Sequence, residues 1–224
     1  MGWSRETLAD RTGLSWSAIE QIESGRRRNT RPDTLKLLSQ ALGVTIDYLV
    51  KDGSPPGMLD HGILVFSDDD AFVNATVPYL NEGLKRSQAL LAVITAKNIE
   101  LLREHLGESA ARVKFVEAQS WYSFPVFALN AYRTFLDEQL SQGALWARII
   151  GEPVWEGRSE EEVRAWHHYE SLLNLAFRPM PVTVLCPYDE RAVDPAIVSA
   201  ARLTHPRILE GRETVDNPMY RDPE

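Results

Sequence analysis

Five short apolar runs alternate with longer amphipathic stretches between residues 62 and 186. No other feature constrains the fold as strongly. The runs are GILVF (62–66), ALLAVIT (89–95), VKFVEA (113–118), WARIIG (146–151) and VTVLC (182–186). Helical patterns fill 70–85, 98–106, 125–141 and 160–177, with one more at 195–203. Strands separated by helices require right-handed crossovers and a mostly parallel sheet. Helices cover both faces of such a sheet, so its strands read as unbroken apolar runs. Ligands of these sheets sit beyond the carboxyl ends of the strands. The body is thus expected to span residues 60–211, with RETVDNPMYRDPE (212–224) as a polar, disordered tail.

The first 51 residues read differently. SRETLADRT begins at a Ser4 N-cap and ends at Gly13, which suits a left-handed helix end, and Ser15 caps the next helix. Ile19 and Ile22 lie three residues apart on its inner face. Gly25 is expected to stop that helix. Pro32 suits a first helical position before LKLLSQAL, which carries Leu35, Leu38 and Leu42 on one stripe. TIDYLV closes this all-α head, and the Gly- and Pro-containing stretch around KDGSPPGML makes residues 52–59 a linker.

Charge separates the two parts. Residues 1–51 carry eight Lys/Arg against six Asp/Glu, a net +2, and the whole chain is −8, so the remainder is −10. A mildly basic head on an acidic body confines any polyanion contact to the head. The longest apolar run, ALLAVI at 89–94, is far short of the roughly 20 residues of a membrane span. With no secretory signal and a single cysteine, Cys186, the chain is expected to be cytoplasmic.

Two helices joined by a tight glycine turn can place the start of the second in the DNA major groove. Ser15, Trp16, Ser17 and Gln21 would then face the groove, with Arg5 and Arg26, Arg27 and Arg28 on backbone phosphate. The residues L-A at 8–9, G-L-S at 13–15, I-x-x-I-E-x-G at 19–25 and L-x-x-L-x-x-A-L-G-V at 35–44 resemble the XRE, lambda-repressor-like helix-turn-helix family. That resemblance implies double-stranded DNA as partner and a homodimer reading two half-sites. Family members carry a further helix before G-W-S, so a start upstream of Met1 is expected.

The opening GILVFSDDDAFVNATVPYLNEGLKRSQALLAVIT has the element order of a RecA-like ATPase. A phosphate loop needs glycines and a lysine, yet Ser67, Asp68, Asp69 and Asp70 stand there. Three carboxylates repel a triphosphate, and Ser67 with Asp70 reads as a helix-capping box. The expected fold is a RecA-like α/β sheet without a P-loop, with no enzymatic activity and no cofactor.

In the helical stretch 160–177, Val163, Trp166, Glu170, Leu173 and Phe177 form one stripe, which places Glu170 on the buried face with Asn174 beside it. A core-facing carboxylate must be paired, protonated or holding a ligand, and Arg158 is its expected partner. GEPVWEGR (151–158) brings Glu152, Trp155 and Arg158 to a strand end; CPYD (186–189) brings Cys186, Tyr188 and Asp189. His205 precedes Pro206 at the final turn. These nine residues, Glu170 and Asn174 included, are the candidate ligand-binding set, with a buried polar network as the competing reading. No metal set is read: His167 and His168 point to different faces, and His167 with Glu170 lacks a third ligand.

GEPVW, GR, E-x-L-L-N-L-A-F (170–177), C-P-Y-D, T-H-P (204–206), His61, V-P-Y-L-N-E-G-L (77–84) and R-V-K-F-V (112–116) together resemble the MEDS sensory domain, named for methanogen and methylotroph sensors and the dichloromethane dehalogenase repressor. The resemblance implies a bacterial transcription regulator that senses a small organic ligand. The aromatic S-W-Y-S-F-P (120–125) departs from the pattern and would alter ligand choice if it lined the pocket. In an alternative reading, the body is an acidic docking module for a sigma-factor or kinase regulator, and the head is vestigial.

Overall fold

The structure is a computed structural model and describes residues 3–24, 30–42, 49 and 59–223. The chain divides into two units, Met1–Pro56 and Gly57–Glu224. The expected helix at TIDYLV except for Leu49, the stop at Gly25, the arginines 26–28 and all of the linker but Leu59 lie outside the described residues.

In the first unit, α1 (Arg5–Thr12), α2 (Trp16–Glu23) and α3 (Pro32–Leu42) form where capping chemistry allows. The Thr7 amide donates to Ser4 Oγ and the Ala18 amide donates to Ser15 Oγ, each over 3.2 Å. Gly13, at φ 68°, turns the chain out of α1 in the left-handed conformation that other residues adopt only with strain. Helix α1 packs on both α2 and α3, with Ile19 and Leu38 buried between them.

The second unit contains a seven-stranded sheet of order β3-β2-β4-β5-β1-β6-β7. Its strands are β1 (Asp60–Phe66), β2 (Ala89–Ile94), β3 (Lys114–Glu117), β4 (Ala147–Gly151), β5 (Val182–Asp189), β6 (Arg207–Glu210) and β7 (Glu213–Asp216). All neighbours pair in parallel except β6 with β7. Between them run α4 (Asp69–Lys85), α5 (Ala96–Leu106), the single turn α6 (Ala118–Trp121), α7 (Pro125–Ser141), α8 (Glu160–Phe177) and α9 (Pro195–Thr204). The five expected strands and five expected helices are all present within a few residues. The tail is a correction, because β7 pairs with β6 and Asn217 Nδ2 donates to the carbonyls of Arg202 (2.6 Å) and His205 (2.7 Å). Polar composition did not prevent order there, since the backbone of β6 offered an unpaired edge.

The two sheet faces build separate cores. Ile63, Leu91, Val93, Ile149, Val184, Cys186 and Tyr188 face α7, α8 and α9. Leu64, Phe66, Leu90, Ala92, Ile94, Ile150 and Leu185 face α4 and α5. The turn after β1 also differs from expectation: the N-cap of α4 is Asp68, which accepts from the Ala71 amide over 2.7 Å, and Ser67 instead donates to Asp68. Carboxylates occupy the helix start that a phosphate loop would need.

Candidate functional site

A cleft of about 1060 Å³ opens at the carboxyl ends of β2, β4 and β5, and Glu152, Trp155, Arg158 and Asp189 line it. The charged groups of Glu152, Arg158 and Asp189 are already engaged, whereas Trp155 Nε1 is buried without a hydrogen-bond partner. Glu152 accepts from the Thr95 amide (2.8 Å) and from Asn98 Nδ2 (2.9 Å), which ties the end of β4 to the start of α5. Burial pushes its carboxyl above the ordinary range, against those hydrogen bonds. Arg191 holds both oxygens of Asp189, and this partnership lowers the Asp189 carboxyl.

Arg158 is the main correction to the expected pairing. Its guanidinium donates to the carbonyls of Val154 and Tyr122 (2.6 Å to the latter) and lies 4.6 Å over the Trp166 ring. It therefore clamps the loop to the α6–α7 turn and leaves Glu170 to other partners. None of residues 120–125 lines the cleft; Tyr122 instead points inward, its hydroxyl 2.5 Å from that of Tyr132.

Glu170, Asn174, Cys186 and His205 converge beneath the cleft, between the sheet and α8–α9, where each is buried. The sequence-based set lacked their fifth member, His61 on β1, which is fully buried. Its signals were its place among the residues that resemble the MEDS domain and a histidine at the start of an apolar strand, and neither gave it a partner. Parallel pairing sets His61 opposite Val184 and Ile63 opposite Cys186, so His61 and Cys186 share a sheet face. His61 Nε2 lies 3.3 Å from Cys186 Sγ and 3.7 Å from Glu170 Oε2, and His205 Nε2 lies 3.7 Å from the same carboxylate oxygen. His61 and His205 stack at 4.1 Å.

The hydrogen bonds fix both imidazole tautomers. Asn174 Nδ2 donates to the Glu170 and Thr204 carbonyls, so its Oδ1 must accept, and His61 donates to it from Nδ1 over 3.0 Å. His205 Nδ1 donates to the Ala201 carbonyl over 2.7 Å. Each Nε2 is thereby left with its lone pair facing the centre. Glu170 Oε2 and His205 Nε2 have no hydrogen-bond partner. Burial raises the Glu170 carboxyl to about 8, pushes the Cys186 thiol up and lowers both histidines, His61 to about 4. Burial thus favours the neutral form of every group in the cluster.

Tyr188 joins the two sites. Its ring stacks on Trp155 at 6.1 Å and meets His205 edge-on at 6.0 Å. His167 faces Trp155 rather than the cluster. In the head, Ser15, Trp16, Ser17 and Gln21 are exposed, Ser17 and Gln21 on the side of α2 away from buried Ile19, while Arg5 pairs with Glu23 at 2.5 Å. Among the described residues, no helix is long and apolar enough to cross a membrane.

No curated protein matches the chain. Residues 1–49 match the helix-turn-helix family model. Residues 60–206, well over half of the chain, match the model of the MEDS domain. The chain belongs to the family of the methanogen/methylotroph, DcmR sensory domain.

Proposed function

We propose that the protein is a cytoplasmic transcriptional regulator whose head binds double-stranded DNA and whose body binds a small organic molecule in the cleft at the strand ends. The observation that carries the ligand half is the cleft itself. Its size is that of sites for small organic ligands, and Trp155, Val154, Val163 and Ile197 supply an apolar wall in a lining that also carries Lys97, Glu156 and Arg164. DNA binding is supported by the helix-turn-helix match and by the row of short polar side chains at the start of α2. Occupancy of the cleft would act on the heads only by favouring one arrangement of a homodimer over another.

Retardation of operator-region fragments by the full chain tests the first half, and affinity should fall steeply with salt as counterions are released. Repeating the titration with compounds from dichloromethane and methanol to aromatic carboxylic acids tests the second. Absence of retardation at low salt removes the DNA reading, and retardation that no compound alters removes the ligand reading.

One observation favours a second reading, a body that docks another protein. Phe124, Val126 and Phe127 at the start of α7 are each about 60% exposed, and contiguous exposed apolar side chains mark interaction surfaces. A sigma-factor or kinase regulator retained by the chain after removal of residues 1–51, and lost on Phe127→Asp, would support it.

A further inference from the structure

His61, Glu170, Cys186 and His205 come from β1, α8, β5 and the turn after α9, and their donor atoms all lie within 4.8 Å of one another. Three of the separations are 3.3, 3.7 and 3.7 Å. Metal–nitrogen and metal–oxygen bonds of about 2.0–2.2 Å with a metal–sulfur bond of about 2.3 Å give tetrahedral edges of roughly 3.3–3.6 Å. The two 3.7 Å separations are too long for hydrogen bonds, and they converge on Glu170 Oε2, an atom without a partner. His205 Nε2, at one end of them, likewise lacks a hydrogen-bond partner.

We propose that His61 Nε2, His205 Nε2, Cys186 Sγ and Glu170 Oε2 form a closed tetrahedral site for a divalent transition metal ion of the zinc class. Two imidazoles, one thiolate and one carboxylate are borderline-soft donors that suit zinc and its neighbours, whereas magnesium and calcium require oxygen ligands. Charge balances as well, because one dication meets one thiolate and one carboxylate in a site without solvent contact. Binding expels the thiol and carboxyl protons to solvent. The surroundings orient the ligands as metal sites require: Asn174 Oδ1 and the Ala201 carbonyl each accept the far proton of an imidazole, fixing its lone pair toward the centre. Four protein ligands leave no open position, so the ion holds β1, β5, α8 and α9 together rather than performing hydrolysis. Through Tyr188 it also stands one ring away from the Trp155 wall of the cleft. The inference is independent of whether an organic compound binds there.

The test uses the full chain, stripped with a chelator and titrated with cobalt(II) alone, then with zinc(II). The expected result is one equivalent bound per chain, with a thiolate-to-cobalt charge-transfer band and visible bands of tetrahedral intensity that zinc abolishes. Cys186→Ser should lose the charge-transfer band, and Glu170→Gln should weaken binding at least tenfold. A folded wild-type chain that takes up well under one equivalent overturns the proposal, as does a charge-transfer band that survives Cys186→Ser. If the variants fail to fold, X-ray absorption at the zinc edge of the wild-type chain decides. One sulfur with three nitrogen or oxygen neighbours supports the site, and any other shell overturns it.

Discussion

The cleft and the buried cluster lie on the same sheet and share the stack through Tyr188, yet they treat their ionisable groups in opposite ways. Glu152, Arg158 and Asp189 at the cleft have hydrogen-bond partners within the chain, so the cleft is a finished container that a molecule can enter or leave. Glu170 and His205 in the cluster retain atoms without partners although both are buried. An unpaired buried polar group costs on the order of 1–3 kcal/mol. The comparison teaches that an open pocket signals exchange, whereas unsatisfied convergent donors signal something held permanently.

Four experiments break or sharpen that contrast. The largest effect is expected from metal. Zinc at about a thousandfold over its dissociation constant stabilises a native state by about 4 kcal/mol. In a unit of this size that raises Tm by on the order of 10 °C, read by calorimetry with and without chelator. An unchanged Tm would make the cluster as self-sufficient as the cleft.

Trp155→Ala comes next. Removing a buried Trp typically costs about 3–5 kcal/mol, and here it also deletes a cleft wall. Unfolding should show that loss together with a lost response to organic compounds, while cobalt uptake persists. Loss of both responses would mean that the two sites are one.

Asn174→Ala tests orientation within the cluster. Removing the partner of a metal-bound histidine costs 10–100-fold in affinity, so a competitive chelator titration should shift by that factor. The cleft's response should stay the same.

The smallest effect belongs to Glu152. Its carboxyl is raised by burial, so folding favours the protonated form. As pH rises above the ordinary carboxylate range, the unfolded chain ionises first and the folded state loses relative stability. The stability difference between Glu152→Gln and the parent should therefore move in the variant's favour with rising pH, until the folded carboxyl also ionises. Chemical denaturation across pH measures it; a difference independent of pH would show that the Asn98 and Thr95 contacts just offset desolvation, and a trend of opposite sign that they outweigh it.

Several features were legible before any coordinates. Apolar stripes placed Glu170 and Asn174 on the inner face of α8, because helical periodicity is a local property. The alternation of strands and helices pointed to the carboxyl ends of the strands, where the cleft opens. The Arg158 partner was misread because spacing along the chain does not say which way a loop turns. Here the guanidinium stacks on Trp166 and reaches the Tyr122 carbonyl. The ordered tail was missed because edge pairing by β6 outweighs polar composition.

By itself, the sequence determined the alternation of elements, the loss of phosphate-loop chemistry and the face that α8 buries. Only the tertiary structure decided that His61 meets Asn174 across 113 residues and Cys186 across 125. The physical reason is that β1 enters the sheet beside β5, a choice of neighbour set by packing both sheet faces at once. That choice, invisible to any local pattern, makes four separate side chains into one site.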